Sequence, residues 1–427
     1  MNARLRFFGT GITIAILAFS ESLLITPVLA EDWPQWRGPD RNGISLEKGW
    51  SADWPAEGPK RLWKGKIGVG YSSVAVSNGR LYTMGNTDGT DHVFCLDANT
   101  GKELWKHSYP CSSRDPNGYL GTRCTPAVEG SRVFTVSREG HFFCLDANSG
   151  KPAWSKNYRT DYGASPPKWG FSSSPLVEGN LVIVEAGARG ASVVAFNKDT
   201  GQEVWKAGSG RPGYSSPIAF THEGKRAVAI LTASALAGRS LTDGKELWRF
   251  PWKTSWDVNA ATPIIEGDKA FVSGGYDHGG ALVQFGATPP KVLWENQNMR
   301  NHVSSCVLWQ GHLYGFDENE LRCLDFQTGR VKWTERRHGK GSLIAADGKL
   351  IIYSERGHLN VAEASPARYK ELASAQILGG RSTWALPVLA HGKIYCRSLE
   401  NLVCLDVSNA GQDKDSDSNP SSGKRRD

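Results

Sequence analysis

Asp97-Ala-Asn-Thr-Gly-Lys-Glu-Leu-Trp105 returns as Asp146-Ala-Asn-Ser-Gly-Lys-Pro-Ala-Trp154, Asn197-Lys-Asp-Thr-Gly-Gln-Glu-Val-Trp205 and Asp325-Phe-Gln-Thr-Gly-Arg-Val-Lys-Trp333. A shortened copy, Leu241-Thr-Asp-Gly-Lys-Glu-Leu-Trp248, and a degenerate one ending Lys291-Val-Leu-Trp294 extend the series. From Trp63 through Trp105, Trp154, Trp205, Trp248, Trp294 and Trp333 the intervals are 42, 49, 51, 43, 46 and 39 residues. Each is the length of one four-stranded blade. Two further copies lack the Trp, one from Gly341 to about Leu372 and one from Ser382 to Val407. The last copy has chain for only three strands. Lys60-Arg-Leu-Trp-Lys-Gly-Lys66 has the character of an outer strand with no blade before it. Pairing it back onto the last copy supplies the missing strand and removes the two edges an open ring would expose.

The expected fold is therefore all-β: an eight-bladed β-propeller of four-stranded blades over residues 60–407, its last blade closed by the N-terminal strand. A β-solenoid fits neither the blade-length period nor the separated closing strand. Within the second copy, Cys124 to Val128 reads as a short inner strand, and Arg132 to Ser137 with His141 to Asp146 as a hairpin. The Asp and Gly of the following turn suit backbone capping and positive φ, and the large ring of the Trp is expected between neighbouring blades.

The ends differ in kind. Arg4 and Arg6 precede an apolar run from Phe7 to Ser20, and Val28-Leu29-Ala30 offers small or modest residues before Glu31, so residues 1–30 read as a signal peptide. Glu21 and Pro27 break the run well short of a membrane span, and no Cys follows it to carry a lipid. The expected location is exported, periplasmic or secreted. Residues 31–59 form an N-terminal extension, and 408–427, without a large apolar residue, a disordered tail. The net charge of +7 falls to +6 when Arg4, Arg6 and Glu21 leave with the signal, and no dense Lys/Arg block marks a nucleic-acid surface.

The order Ser-Ser-Pro, Gly turn, Cys/Ala-Leu/Phe-Asp/Asn, Thr-Gly, Trp resembles the repeat of the PQQ-type (pyrroloquinoline-quinone-type) propellers. Its best copies are Phe171-Ser-Ser-Ser-Pro175 through Trp205 and Tyr214-Ser-Ser-Pro217 through Trp248. That family holds both quinoprotein alcohol dehydrogenases and the non-enzymatic outer-membrane assembly factor BamB. Trp33-Pro-Gln-Trp-Arg-Gly-Pro39, followed by Asn42-Gly43, is similar to a segment found ahead of such repeats in exported bacterial proteins. The vicinal Cys-Cys of the dehydrogenases is missing, as are a Cys-x-x-Cys-His haem site and a recognisable set of calcium ligands. What the resemblance implies is a binding or scaffold protein for a cell-envelope partner or ligand. The alternative is a PQQ-dependent alcohol or sugar dehydrogenase-like oxidoreductase, and only that alternative calls for a cofactor, PQQ with calcium. The expected partner is a protein, peptide or cell-envelope ligand; no nucleic acid and no membrane span after signal cleavage are expected, and the chain is expected as a monomer.

Aligned copies place Tyr71, Arg123, Tyr214, Lys340 and Trp384 at one position at the start of the inner strands, with Asn259, His302 and Thr383 one residue earlier. These are the candidate ligand-binding residues at the channel mouth, and the mixture suits a sugar, an anionic small molecule or a peptide. A plainer account is that a water-filled channel tolerates polar residues. Basic residues Arg123, Lys168, Arg211, Arg300, Lys340 and Arg381 suggest a positive funnel. Cys95, Cys144, Cys323 and Cys404 share one repeat position and read as small packing residues. Cys111 with Cys124, and Cys396 with Cys404, are candidate disulfides, the second because the two sit symmetrically about a turn near Glu400. The histidines show no zinc spacing, no carboxylate pair stands out, and neither a catalytic residue nor a metal site is assigned.

Overall fold

The computed structural model describes residues 31–113, 118–287, 289–380 and 383–409. The signal-peptide reading, Arg381, Ser382 and nearly all of the tail fall outside them. Eight antiparallel sheets follow one another around a ring. The second, for example, runs Ala127–Glu129, Arg132–Val136, His141–Asp146 and Pro152–Asn157, innermost strand first. The inner strand is thus shorter than the sequence suggested, since Cys124 and Thr125 belong to the approach from the preceding blade. Middle strands such as Lys349–Ser354 are apolar because both faces are covered, whereas outer strands such as Glu103–Pro110 alternate exposed and buried.

The ring closes as expected. Lys60–Lys66 pairs antiparallel with Asn401–Asp406, with Trp63 opposite Cys404, and makes the fourth strand of a sheet completed by Lys393–Arg397 and Val388–Ala390. The fully buried Arg397 guanidinium spans the seam, donating to the carbonyls of Ser72 at 2.8 Å and Met84 at 2.6 Å in the first blade.

Two features of the repeat now have physical reasons. At six blade boundaries the Trp indole N–H donates to the turn of the next blade, as from Trp63 to Ala98 O at 3.0 Å and Trp105 to Ala147 O at 2.9 Å, whereas Trp248 instead stacks on Phe285. The Gly of that turn lies flat on the same ring: Gly150 has φ +69°, and a Cβ there would stand 2.5 Å from Trp105. Thr-Gly and Trp are therefore the two halves of an inter-blade lock. The Ser-Ser-Pro hydroxyls form a second one around the channel, where Ser216 Oγ accepts from Ser174 N and Ser174 Oγ from Thr125 N, both at 2.9 Å. Opposite the Trp of each outer strand stands a small or apolar residue, among them Cys95, Cys144, Cys323 and Cys404.

All eight cysteines are buried free thiols, which corrects both expected disulfides. The last hairpin pairs Tyr395 with Cys404 and Cys396 with Val403, so its axis lies half a residue from Glu400. Because paired residues share a face and neighbours alternate, Cys396 and Cys404 point to opposite sides of the sheet. Cys124 Sγ accepts from Val136 N at 3.4 Å.

The largest departure is the extension. Residues 33–45 fill the channel. Trp33 exchanges backbone hydrogen bonds with Val76, Pro34 O accepts from Val128 N, and Gly43 O accepts from Ala345 N. Ile44–Ser45 then adds in parallel to Gly341–Ala346. Arg37 donates to Cys306 O at 2.6 Å, and Arg41 to Pro175 O at 2.8 Å and Ser174 O at 3.1 Å. Both ends of the segment sit beside turns that follow inner strands, with Asp32 accepting from Asn78 N and Glu47 from Gly392 N. The chain thus enters and leaves through one face, and its tip stops beneath the other. The channel is not a water-filled tube.

Candidate functional site

On the face opposite the plug's entry, the loops leading into the inner strands enclose a blind pocket of about 190 Å³. Trp36, at the tip of the plug, lines it, its indole N–H anchored on Thr262 Oγ1 at 2.9 Å. Five of the sequence candidates meet there: Tyr71, Arg123, Tyr214, His302 and Trp384. Tyr71 and Trp384 stack at 5.4 Å with their planes 19° apart, and the Arg123 guanidinium lies over Tyr71 at 5.4 Å. Across the pocket Trp169 meets Tyr214 edge-on at 5.8 Å, and Tyr276 meets His302 at 4.5 Å.

The other three candidates serve the walls. Asn259 is buried and ties three loop segments, donating to Thr232 O and Trp252 O and accepting from Thr254 Oγ1. Thr383 donates to Ser354 O. Lys340 stands behind His302: its ammonium donates to Nδ1 at 2.6 Å and pairs with Glu318 at 3.3 Å. Burial first, then the Lys340 charge, pushes the imidazole pKa down despite Glu318. His302 is therefore neutral at pH 7 with its proton on Nε2, a fixed donor.

Trp36, Tyr119, Trp169 and Tyr276 complete the aromatic wall and were not expected. They come from the extension, from irregular loops, and from the hairpin between Lys269–Gly274 and Gly279–Gln284, none of which shares the repeat's frame. The positive funnel is largely neutralised. Arg211 pairs with Asp257 at 3.0 Å, and Arg300 with Asp317 at 2.7 Å and Asp277 at 2.8 Å. Lys168 lies over Trp169 and Trp256 at 4.8 and 4.3 Å.

Among the described residues no Asp or Glu lines the pocket, and no three His, Cys, Asp or Glu converge as a metal site. Calcium requires six to eight oxygens, carboxylates foremost. Neither that donor set nor adjacent cysteines stand here, so the residues do not fit a calcium-bound quinone.

The model of the PQQ-repeat family described as outer membrane protein assembly factor BamB matches residues 47–118, 114–335 and 252–424. This chain belongs to that family. A comparison with curated protein sequences gives no match. Among solved structures, BamB from Moraxella catarrhalis is 12% identical, with 81% of this chain and 97% of that one covered and a TM-score of 0.57. A europium-containing methanol dehydrogenase is 12% identical over 87% and 90%, TM-score 0.64. A quinohemoprotein alcohol dehydrogenase from Pseudomonas putida HK5 is 13% identical over 93% and 82%, TM-score 0.58. At such identities the likeness is one of fold alone, and the fold by itself does not choose between the two kinds of protein.

One buried acid supports the pocket wall of this BamB-family chain. Glu185 Oε1 accepts from Gly213 N at 3.1 Å, next to Tyr214, and Oε2 has no partner. Burial raises its pKa from 4.5 to about 8. The unfolded chain releases this proton near 4.5 and the folded chain near 8, so the contribution to stability is intact below 4.5 and is lost as pH rises to about 8. Glu185→Gln keeps the acceptor and removes the ionisation. Its unfolding free energy should lack that fall, gaining on the order of 4 kcal/mol over the parent at pH 9, read from urea titrations at pH 5, 7 and 9.

Proposed function

We propose that this BamB-family chain is a non-enzymatic binding protein of the cell envelope, exported behind its first 30 residues, that holds a ligand or partner at the channel mouth. The observation that carries this is the blind aromatic pocket, with Trp36 and Trp384 in its lining and without an acid–base pair. Such concave, mostly apolar sites with a few fixed donors are suited to binding. Catalysis would require a nucleophile, a general base or a metal within reach of the ligand, and His302 in the lining has its acceptor nitrogen Nδ1 occupied by Lys340. Among the described residues no helix is long and apolar enough to cross a membrane. The basic start Arg4 and Arg6 with the apolar run to Ser20 supports export.

The test is a pair of measurements on the purified chain. Tryptophan fluorescence should respond to fractionated envelope extract, and the response should disappear in Trp384→Ala. Incubation with PQQ and calcium should give neither a stoichiometric chromophore nor dye-coupled oxidation of alcohols or sugars. A chromophore with turnover would replace the binding reading by the dehydrogenase one.

A further inference from the structure

We propose that the mouth pocket and its rim bind a carbohydrate chain, one sugar ring entering above Trp36 and the following rings lying against Tyr276 and Trp256. The proposal rests on the binding reading above and gives it a ligand class.

The rim carries the first argument. Trp256 is 64% exposed at φ 65°, and Tyr276 is 36% exposed at φ 55°. A bulky residue in the left-handed region is strained, and here burial offsets little of the strain. Lys168 links Trp256 to Trp169 of the pocket wall through its two ring contacts, and Tyr276 touches His302 edge-on. Flat rings thus continue from the pocket onto the surface. The pocket is close in size to a cavity of about 150 Å³ that admits one benzene. One ring fits, and the rest of a longer ligand must lie on the rim.

Polar chemistry narrows the class. A sugar has a C–H face that packs on an aromatic ring and a hydroxyl edge that needs fixed partners. The pocket supplies both. Its donors include the Nε2–H of His302, oriented by Lys340, and its ring faces include that of Trp384, stacked on Tyr71. Ion pairs within the protein satisfy Arg211, Arg300 and Lys340, and Arg123 and Lys168 lie over aromatic rings, so ring faces contribute more of the lining than open charge. An extended peptide would seek a strand edge for its backbone. In the channel, inner-strand edges are already taken by the plug, at Val76 by Trp33 and at Ala345–Ala346 by Ile44–Ser45.

Isothermal titration of the full chain with malto-, cello-, xylo- and chitohexaose, each against its monosaccharide, and with aromatic hexapeptides, tests the assignment. At least one hexaose should bind about tenfold tighter than its monosaccharide, the gain of one further ring contact. Trp256→Asn tolerates the left-handed backbone, removes only an exposed ring, and should abolish that gain while sparing the monosaccharide. Trp384→Phe should weaken both. The proposal is overturned if no saccharide binds, or if binding is unchanged in the two variants. If instead a hexapeptide binds and is lost in Trp384→Ala, the carbohydrate class falls while the pocket remains a binding site.

Discussion

Arg41→Ala is expected to lower the unfolding free energy by about 4 kcal/mol, with the loss expressed first in the plug. Arg41 is fully buried without a carboxylate beside it, and desolvation pushes its pKa down to about 9. What holds it is carbonyl oxygen: Pro175 O, Ser174 O and the side chain of Gln35 at 3.0 Å. Truncation leaves these buried acceptors unpaired, at about 1–3 kcal/mol each, and opens a void. Relief of the buried charge offsets part of this. Arg41→Met keeps most of the volume and should cost about half as much, because only the polar loss remains. Urea unfolding measures the totals, and limited proteolysis within residues 33–45 reports whether the plug is released first. Unchanged stability with a protected plug would show that the guanidinium contributes nothing net. Since Trp36 sits five residues away at the tip, the Ala variant should also lose ligand response at the mouth.

The repeat was legible because its information is local. A turn Asp that caps its own Asn and Thr neighbours, a Gly in the left-handed region and a Trp at fixed offset appear together in nine residues, as Asp97 to Trp105 shows. Even the closing strand could be read, since Lys60–Lys66 is a fourth strand without its blade. The plug was not. Trp33 to Ser45 has no strand or helix period, and its partners lie far along the chain, 134 residues from Arg41 to Pro175 and 269 from Arg37 to Cys306. The site falls between these cases. Alignment to the inner strands picked out Tyr71, Tyr214 and Trp384 because the ring carries that position to the mouth. It misassigned Asn259, which turns into the wall while its neighbours Val258 and Ala260 face the pocket. Tyr119, Trp169 and Tyr276 lie on loops or hairpins whose lengths differ between blades, so no alignment of repeats could place them.

The closing strand yields the largest expected effect. Replacing Lys60–Lys66 by a seven-residue Gly/Ser linker retains the plug but strips the last blade of its outer strand. Asn401–Asp406 would then present an open edge, and the Trp63 anchor on Ala98 would be lost. Losing a whole buried strand should cost more than about 5 kcal/mol and expose an edge prone to intermolecular pairing. The repeat itself specifies the repair. In the first blade Cys95 pairs with Trp105 and Leu96 with Glu103, and in the last Cys404 pairs with Trp63 and Leu405 with Arg61. Asp406 and Val407 therefore stand where Asp97 and Ala98 stand, and Lys60 stands where Lys102 does. Appending Asn-Thr-Gly after Val407 and then Lys60 to Lys66 gives the last blade an ordinary turn and a covalently continuous fourth strand. Calorimetry should find this relocated chain melting within a few degrees of the parent, and size-exclusion chromatography should find it at the parent's elution volume. The linker-only chain should be aggregated or unfolded. Equal melting of the linker-only chain and the parent would mean that the ring does not depend on that strand, and failure of the relocated chain would mean that closure requires the strand to arrive from the amino terminus.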